Sequence, residues 1–174
     1  MDELVLQALE RWPNVPAVRG WLRLDARGRW LIRQPPSATE KNHFAAVVNP
    51  QMIEFINRNY VVDDAGAYFQ NGPQRVYVRP ERGAFVWSYV DATSPALQAH
   101  TGQAVQTVSA CWLDADEVPW LQTEWGAGHL LDRDLARWAS ELHSPNSADP
   151  LAALSERGAQ ESVWWRDLPV QFRN

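Results

Sequence analysis

Three times along this chain an aspartate ends an alternating apolar stretch, a tight reversal follows, and an aromatic opens the next stretch. The first copy is Trp21-Leu22-Arg23-Leu24-Asp25-Ala26-Arg27-Gly28-Arg29-Trp30-Leu31-Ile32, and the second is Tyr60-Val61-Val62-Asp63-Asp64-Ala65-Gly66-Ala67-Tyr68-Phe69. A degraded third, Cys111-Trp112-Leu113-Asp114-Ala115-Asp116-Glu117-Val118-Pro119-Trp120-Leu121, has lost the glycine at Glu117 and gained a residue before the aromatic. Aspartate bonds its own downstream backbone, and glycine accepts the positive φ that a type I turn followed by a G1 bulge demands. Alternation with period two on both sides is strand periodicity. The repeat therefore predicts β-hairpins, used more than once. Its aspartates recur where turn chemistry wants them, so it reads as scaffold.

Short helices are expected around the hairpins. Asp2 is placed to cap a helix over Glu3–Arg11 that Pro13 ends, with Leu4, Leu6, Leu9 and Trp12 partly at helical spacing. Asn49-Pro50, a cap and a first-turn proline, opens a second helix to about Asn59 with Met52, Ile53, Phe55 and Ile56 inward. Asp132 is the expected cap of a helix over 133–142, and Asp149-Pro150 opens a last one that ends at Gly158. Residues 34–48, with Pro35 and Pro36, predict a loop or edge segment. Asn71-Gly72-Pro73 predicts a sharp reversal into a strand over 75–79, and another strand spans 84–90. Residues 91–103 are turn-rich, strands resume at about 104–113 and 119–124, and the final segment, 163–170, is expected to dock in extended form. The sum is α+β: twisted antiparallel hairpin sheets with about four short helices on their faces or ends. They form one domain, or two lobes of about 1–90 and 91–174 that share a core.

Composition narrows the partners. The net charge is −5 and basic residues are scattered singly or in pairs such as Arg27/Arg29. No basic stripe is visible to neutralise a row of phosphates, so nucleic acid is not an expected partner. No segment approaches the ~18 uncharged apolar residues that cross a bilayer. Met1-Asp2-Glu3-Leu4-Val5 lacks the positive flank of a signal peptide, and no membrane role is expected. A single cysteine, Cys111, excludes an intramolecular disulfide framework and a cysteine-based metal site. These features point to the cytoplasm. Ten tryptophans read as core packing for a fold of short strands.

Over residues 20–90 the order of parts resembles small bacterial proteins of unknown function built from repeated D-x-x-G-x-aromatic hairpins. The matching parts are Asp25…Gly28…Trp30, Met52–Arg58, Asp63…Gly66…Tyr68, and Phe69-Gln70-Asn71-Gly72-Pro73-Gln74-Arg75-Val76-Tyr77-Val78. After residue 100 the similarity thins to Thr123-Glu124-Trp125-Gly126-Ala127-Gly128 and Asp132-Arg133-Asp134-Leu135. The resemblance implies an α+β fold and a sensing or signalling role without a defined ligand. It implies no catalytic residue. The loop around 34–48 and the lost glycine at Glu117 depart from the pattern.

No assembled chemistry is visible. Cys111 lies in an apolar strand and reads as a small core hydrophobe. There is no G-x-S-x-G elbow and no glycine-rich phosphate loop. His43, His100, His129 and His143 are far apart, and Asp114, Asp116 and Glu117 lack the central glycine and distal glutamate of a calcium loop. No catalytic residue, metal ligand or cofactor is assigned, and the balance tips against an enzyme. The best binding candidates are Asn71, Gln74, Arg75 and Tyr77: two amides, a planar guanidinium fork for carboxylate or phosphate, and an aromatic on the strand face of the arginine. The competing reading is that Arg75 pairs with a neighbour such as Glu81 and that Asn-Gly-Pro is only a turn.

Three functions stay open. The first is a non-enzymatic sensing or regulatory module that binds a small molecule or a protein through residues 70–79. The second is a small hydrolase in which two of Asp63, Asp91, His100 and His129 converge. The third is a structural interaction protein, a homodimer paired through an exposed strand or aromatic patch.

Overall fold

The Asp25 reversal forms as its residues require. Strand β1 (Val18–Leu24) turns through it into β2 (Trp30–Arg33). The Gly28 amide donates to the Asp25 carbonyl at 3.0 Å, the Asp25 amide to the Arg29 carbonyl at 3.0 Å, and Gly28 takes φ 78°. The Asp25 carboxylate accepts from the Arg27 and Arg29 amides at 2.9 and 2.8 Å. This aspartate is fully engaged by its own turn.

That hairpin lies in the first of two units, Met1–Ala84 with His100–Gly102; the second is Phe85–Ala99 with Gln103–Asn174. The computed structural model describes residues 1–36, 42–145, 147–155 and 163–173. The first unit adds β3 (Phe44–Ala46), β4 (Tyr60–Asp63), β5 (Gly66–Asn71) and β6 (Gln74–Pro80), with helices α1 (Glu3–Arg11) and α2 (Pro50–Arg58). Its six strands run β3-β2-β1-β6-β5-β4. Neighbours are antiparallel except β1 and β6, which run parallel with Leu22 beside Val78 and Arg23 beside Arg79. One side of the sheet carries Leu22, Leu24, Trp30, Phe69, Val76 and Val78, all buried. Helix α2 lies on that side: Phe55 meets Phe69 edge-on at 6.1 Å, and the Trp30 indole donates to Asn57 at 2.7 Å.

Two helix expectations change. Asn49 caps α2 by accepting from the Met52 amide at 3.1 Å, yet Met52 itself is exposed and Ile56 is the buried residue. Asp2 does not cap α1, because its carboxylate is taken by Arg58 at 3.1 Å and Asn59 at 3.2 Å. The bond from Arg58 holds the Asp2 carboxyl below its ordinary value. In α1 the buried residue is Val5, whereas Leu4 and Trp12 face solvent.

The second unit contains β7 (Phe85–Tyr89), β8 (Leu97–Ala99), β9 (Ala104–Val105), β10 (Val108–Leu113), β11 (Pro119–Thr123), β12 (Gly126–Leu130), β13 (Leu142–His143), β14 (Trp164–Trp165) and β15 (Leu168–Phe172). Their order is β13-β14-β15-β10-β11-β12-β7-β8-β9, with parallel joins at β10–β15 and β7–β12. Helix α3 (Leu135–Ser140) follows a 3-10 turn at Asp132–Asp134, and α4 is Pro150–Ser155. The helix expected over 133–142 is thus shorter, and the Asp132 carboxylate accepts from the adjacent Arg133 amide at 2.8 Å. Asp149 does cap α4, taking the Leu151 and Ala152 amides at 3.1 Å each. The expected end at Gly158 lies outside the described residues. The C-terminal segment docks, with Trp165 and Val170 buried and β15 laid along β10. The fold class is α+β, with mixed sheets where hairpins alone would have made them antiparallel.

The third turn repeats the first bond for bond. The Glu117 amide donates to the Asp114 carbonyl at 3.0 Å and the Asp114 amide to the Val118 carbonyl at 3.1 Å. The Asp114 carboxylate accepts from the Asp116 and Val118 amides at 3.0 and 2.9 Å. Glu117 stands in the place of Gly28, at φ 60°. The added residue puts Pro119 opposite Leu113, where Trp30 stands opposite Leu24. Trp120 is therefore turned to the other side, and its indole donates to the Asp114 carboxylate at 2.8 Å. A side chain in the left-handed region costs about 1–2 kcal/mol, partly offset by the greater freedom of glycine when unfolded. Glu117→Gly is expected to raise stability by about 0.5–1 kcal/mol, read as a higher urea midpoint with an unchanged slope. An unmoved midpoint would show that Glu117 carries no strain.

Candidate functional site

The side of the six-stranded sheet away from α2 is built by strand alternation. Between the buried Leu22, Leu24, Val76 and Val78, the chain sends outward Trp21 and Arg23 from β1 and Arg75, Tyr77 and Arg79 from β6. Arg19 joins them, because its guanidinium lies 3.5 Å over the Tyr77 ring. Arg23 lies 3.8 Å over Phe44, Arg75 lies 4.5 Å over Tyr68, and Tyr68 and Tyr77 are cross-strand neighbours at 5.8 Å. Arg33, two residues beyond the Leu31 that faces Arg23, completes the row and donates to Asn42 at 2.9 Å. Five arginines thus share one side. Among the strand residues of this sheet the only acidic side chain is Asp63.

Arg75 and Asp63 are 3.8 Å apart and each is more than a third exposed, so this pair is worth little in stability. Burial pushes the Tyr68 phenol up, and the Arg75 charge pulls it down. The expected partner Glu81 is elsewhere: its carboxylate accepts from the Ala26 amide at 3.1 Å. Arg19, Arg23 and Arg79 have no ion pair among the described residues. Arg23 and Arg79 stand directly side by side in the parallel register. A guanidinium stacked on an aromatic ring keeps its N–H fork free and held in place, ready for a carboxylate or a phosphate.

The four residues singled out from the sequence divide between the two sides. Arg75 and Tyr77 belong to the arginine side. Asn71 and Gln74 pair across the Gly72-Pro73 turn and alternate to the other side, where Gln74 donates to the Pro16 carbonyl at 3.0 Å. Arg19, Arg23 and Arg79 were missed. The available signal was two short segments, Arg19-x-Trp21-x-Arg23 and Arg75-x-Tyr77-x-Arg79, each with an outward row of arginine and aromatic.

Groups that hydrolysis would need are held in other work. Asp91 caps its own turn, accepting from the Thr93 and Ser94 amides at 2.8 and 2.7 Å, and these bonds, Ser94 first, hold its carboxyl below the ordinary value. His129 is buried beside Trp120, and His100 packs 5.2 Å from Trp30 and 5.5 Å from Tyr60. Cys111 is buried and its thiol is pushed up to about 12 by that burial, far from a thiolate nucleophile. Among the described residues no group of three or more His, Cys, Asp or Glu side chains could hold a metal ion. The second unit has a groove of about 400 Å³ between Pro95–Leu97 and Trp165–Leu168, and a hollow of about 510 Å³ beside Tyr89, Asp91 and Arg137. Arg166 is already bonded to the Pro95 carbonyl at 2.5 Å and Arg137 to the Asp91 and Ser94 carbonyls at 2.6 and 2.7 Å, whereas the exposed Arg133 beside the hollow lies 3.8 Å from Asp134.

The family model described as protein of unknown function (DUF2946) matches residues 1–172. The chain belongs to this family. A DUF1285 family protein from Silicibacter pomeroyi DSS-3 is similar in structure, with a TM-score of 0.54 at 13% identity over 84% of this chain and 87% of that one. A DUF1285 family protein from Shewanella baltica OS155 gives 0.47 at 13% identity over 68% of this chain and 90% of that one. The first likeness shows a shared fold. No match was found among curated proteins. For this DUF2946 member, function is therefore argued from its own side chains. Among the described residues no helix is long and apolar enough to cross a membrane.

Proposed function

We propose that this protein is a non-enzymatic binding module and that the arginine-and-aromatic side of its six-stranded sheet holds an anionic partner. The observation that carries the reading is the Arg23–Arg79 pair, two cations in direct register on adjacent strands with no ion pair among the described residues. Like charges so placed cost roughly 0.2–1 kcal/mol. An acid on either strand would remove that cost, and none is there. Arg75 and Tyr77 extend the same surface. Binding without chemistry suits a sensing or regulatory role. A reducing compartment such as the cytoplasm suits the single free, buried cysteine.

Arg79→Gln separates this role from a structural one. It is expected to leave the melting temperature unchanged or raise it by about 1 °C, since a repulsion is relieved. Retention on immobilised heparin at low salt should fall, with elution at clearly lower salt than the parent protein. A parent protein that is not retained, or a variant retained equally, would sink the reading.

A further inference from the structure

We infer that the occupant of this surface is single-stranded nucleic acid, with phosphates on Arg19, Arg23 and Arg79 and a base on the Trp21 indole. The inference rests on the binding reading above and adds the class of partner. The sequence spoke against nucleic acid because its basic residues are scattered along the chain. The parallel β1–β6 join collects them. Outward residues of one strand are about 7 Å apart, a step of the same order as that between phosphates of an extended strand.

The aromatic component decides between polyanions. Trp21 is 51% exposed and has no hydrogen bond or ring contact among the described residues, although it lies between Arg19 and Arg23. Arg19 and Arg23 rest on Tyr77 and Phe44 and so turn the other face of each guanidinium plane outward. Bases stack on such planes and on indoles alike, with little regard for sequence. An acidic peptide would pair with the arginines and leave the indole uncovered. In a duplex the bases are stacked on one another and offer no free face to the indole. The surface is a sheet face rather than a cleft, which suits a polymer laid across it better than a lone nucleotide.

Fluorescence anisotropy with labelled dT20, using the whole chain at low salt, tests this. The oligonucleotide should bind at least about tenfold tighter than the matching 20-base-pair duplex or poly-glutamate. The slope of log K against log salt should be about −2 to −3, for three or four phosphates contacted. Trp21→Ala should weaken binding about tenfold with the salt slope kept, because a base stack is lost and no charge is. Arg23→Gln with Arg79→Gln should weaken binding and flatten the slope. Circular dichroism melts of each variant check that it folds, and Trp21→Phe should restore most of the affinity lost in Trp21→Ala. Equal affinity for duplex or poly-glutamate, or an unchanged Trp21→Ala, overturns the inference. Retention on heparin without dT20 binding overturns it and leaves the broader binding reading standing; loss of both removes both.

Discussion

Gly128→Ala is expected to lower the melting temperature by about 10 °C. Gly128 sits in β12 with Leu121 on one side and Phe85 on the other. A Cβ there would lie 2.5 Å from the Phe85 carbonyl oxygen, 2.7 Å from the Phe85 Cβ and 2.7 Å from the Trp87 indole nitrogen. The first of these is backbone and cannot swing away. Trp87 has no room either, because it is fully buried and its indole donates to the Leu121 carbonyl at 3.3 Å. The methyl group must therefore push β7 off β12, and that join connects β7, β8 and β9 to the rest of the nine-stranded sheet. Overpacking of side chains costs about 1–3 kcal/mol, and displacing a strand adds lost ladder bonds. Urea and thermal unfolding would measure it. A melting temperature within about 2 °C of the parent would mean that the strand pair yields freely despite its close approach.

The same glycine shows why parts of the fold were hidden in the sequence. Gly126-Ala127-Gly128 lies just beyond the strand expected over about 119–124, and glycine weakens strands. It becomes a strand only because an aromatic strand from elsewhere in the chain needs a neighbour without side chains. The Asp25 turn and the Asn49-Pro50 helix start were legible, since every partner lies within four residues. Asp2 was misread for the opposite reason: a capping aspartate competes with whatever the fold brings near, and here that is Arg58 and Asn59. The parallel joins are non-local pairings that no hairpin signal announces. The candidate site follows the same division. Arg75 and Tyr77 share a strand and could be placed on one face by alternation alone. Arg23 and Arg79 meet only through the β1–β6 register, so the pair that carries the functional reading could not be seen until that register was known.

Glu141→Ala is expected to cost about 3–4 kcal/mol, and Glu141→Gln about 1–2 kcal/mol. One oxygen of this carboxylate accepts from the Tyr89 phenol at 2.7 Å and from the Trp165 indole at 3.0 Å. Both donors belong to buried residues, so alanine strands two polar hydrogens away from water. The other oxygen takes Arg137 at 3.2 Å, and Arg166 lies 3.5 Å from the first. These two arginines hold the carbonyls of Asp91, Ser94 and Pro95, so losing the carboxylate also loosens the turn between β7 and β8. Glutamine can place its oxygen where Tyr89 and Trp165 need it. Its amide N–H then faces the Arg137 donor, which accounts for the smaller loss. The phenol gives a second readout. Burial, and then the Glu141 bond, raise the Tyr89 pKa above its ordinary value. A group raised in this way stabilises the fold fully below its unfolded pKa of about 10 and loses that contribution as pH climbs above it. Stability of the parent protein should therefore fall on the alkaline side of about pH 10. Urea unfolding at neutral pH ranks the two variants. Equal losses for alanine and glutamine would show that the charge on Glu141, rather than its acceptance of the two buried donors, is what the second unit depends on.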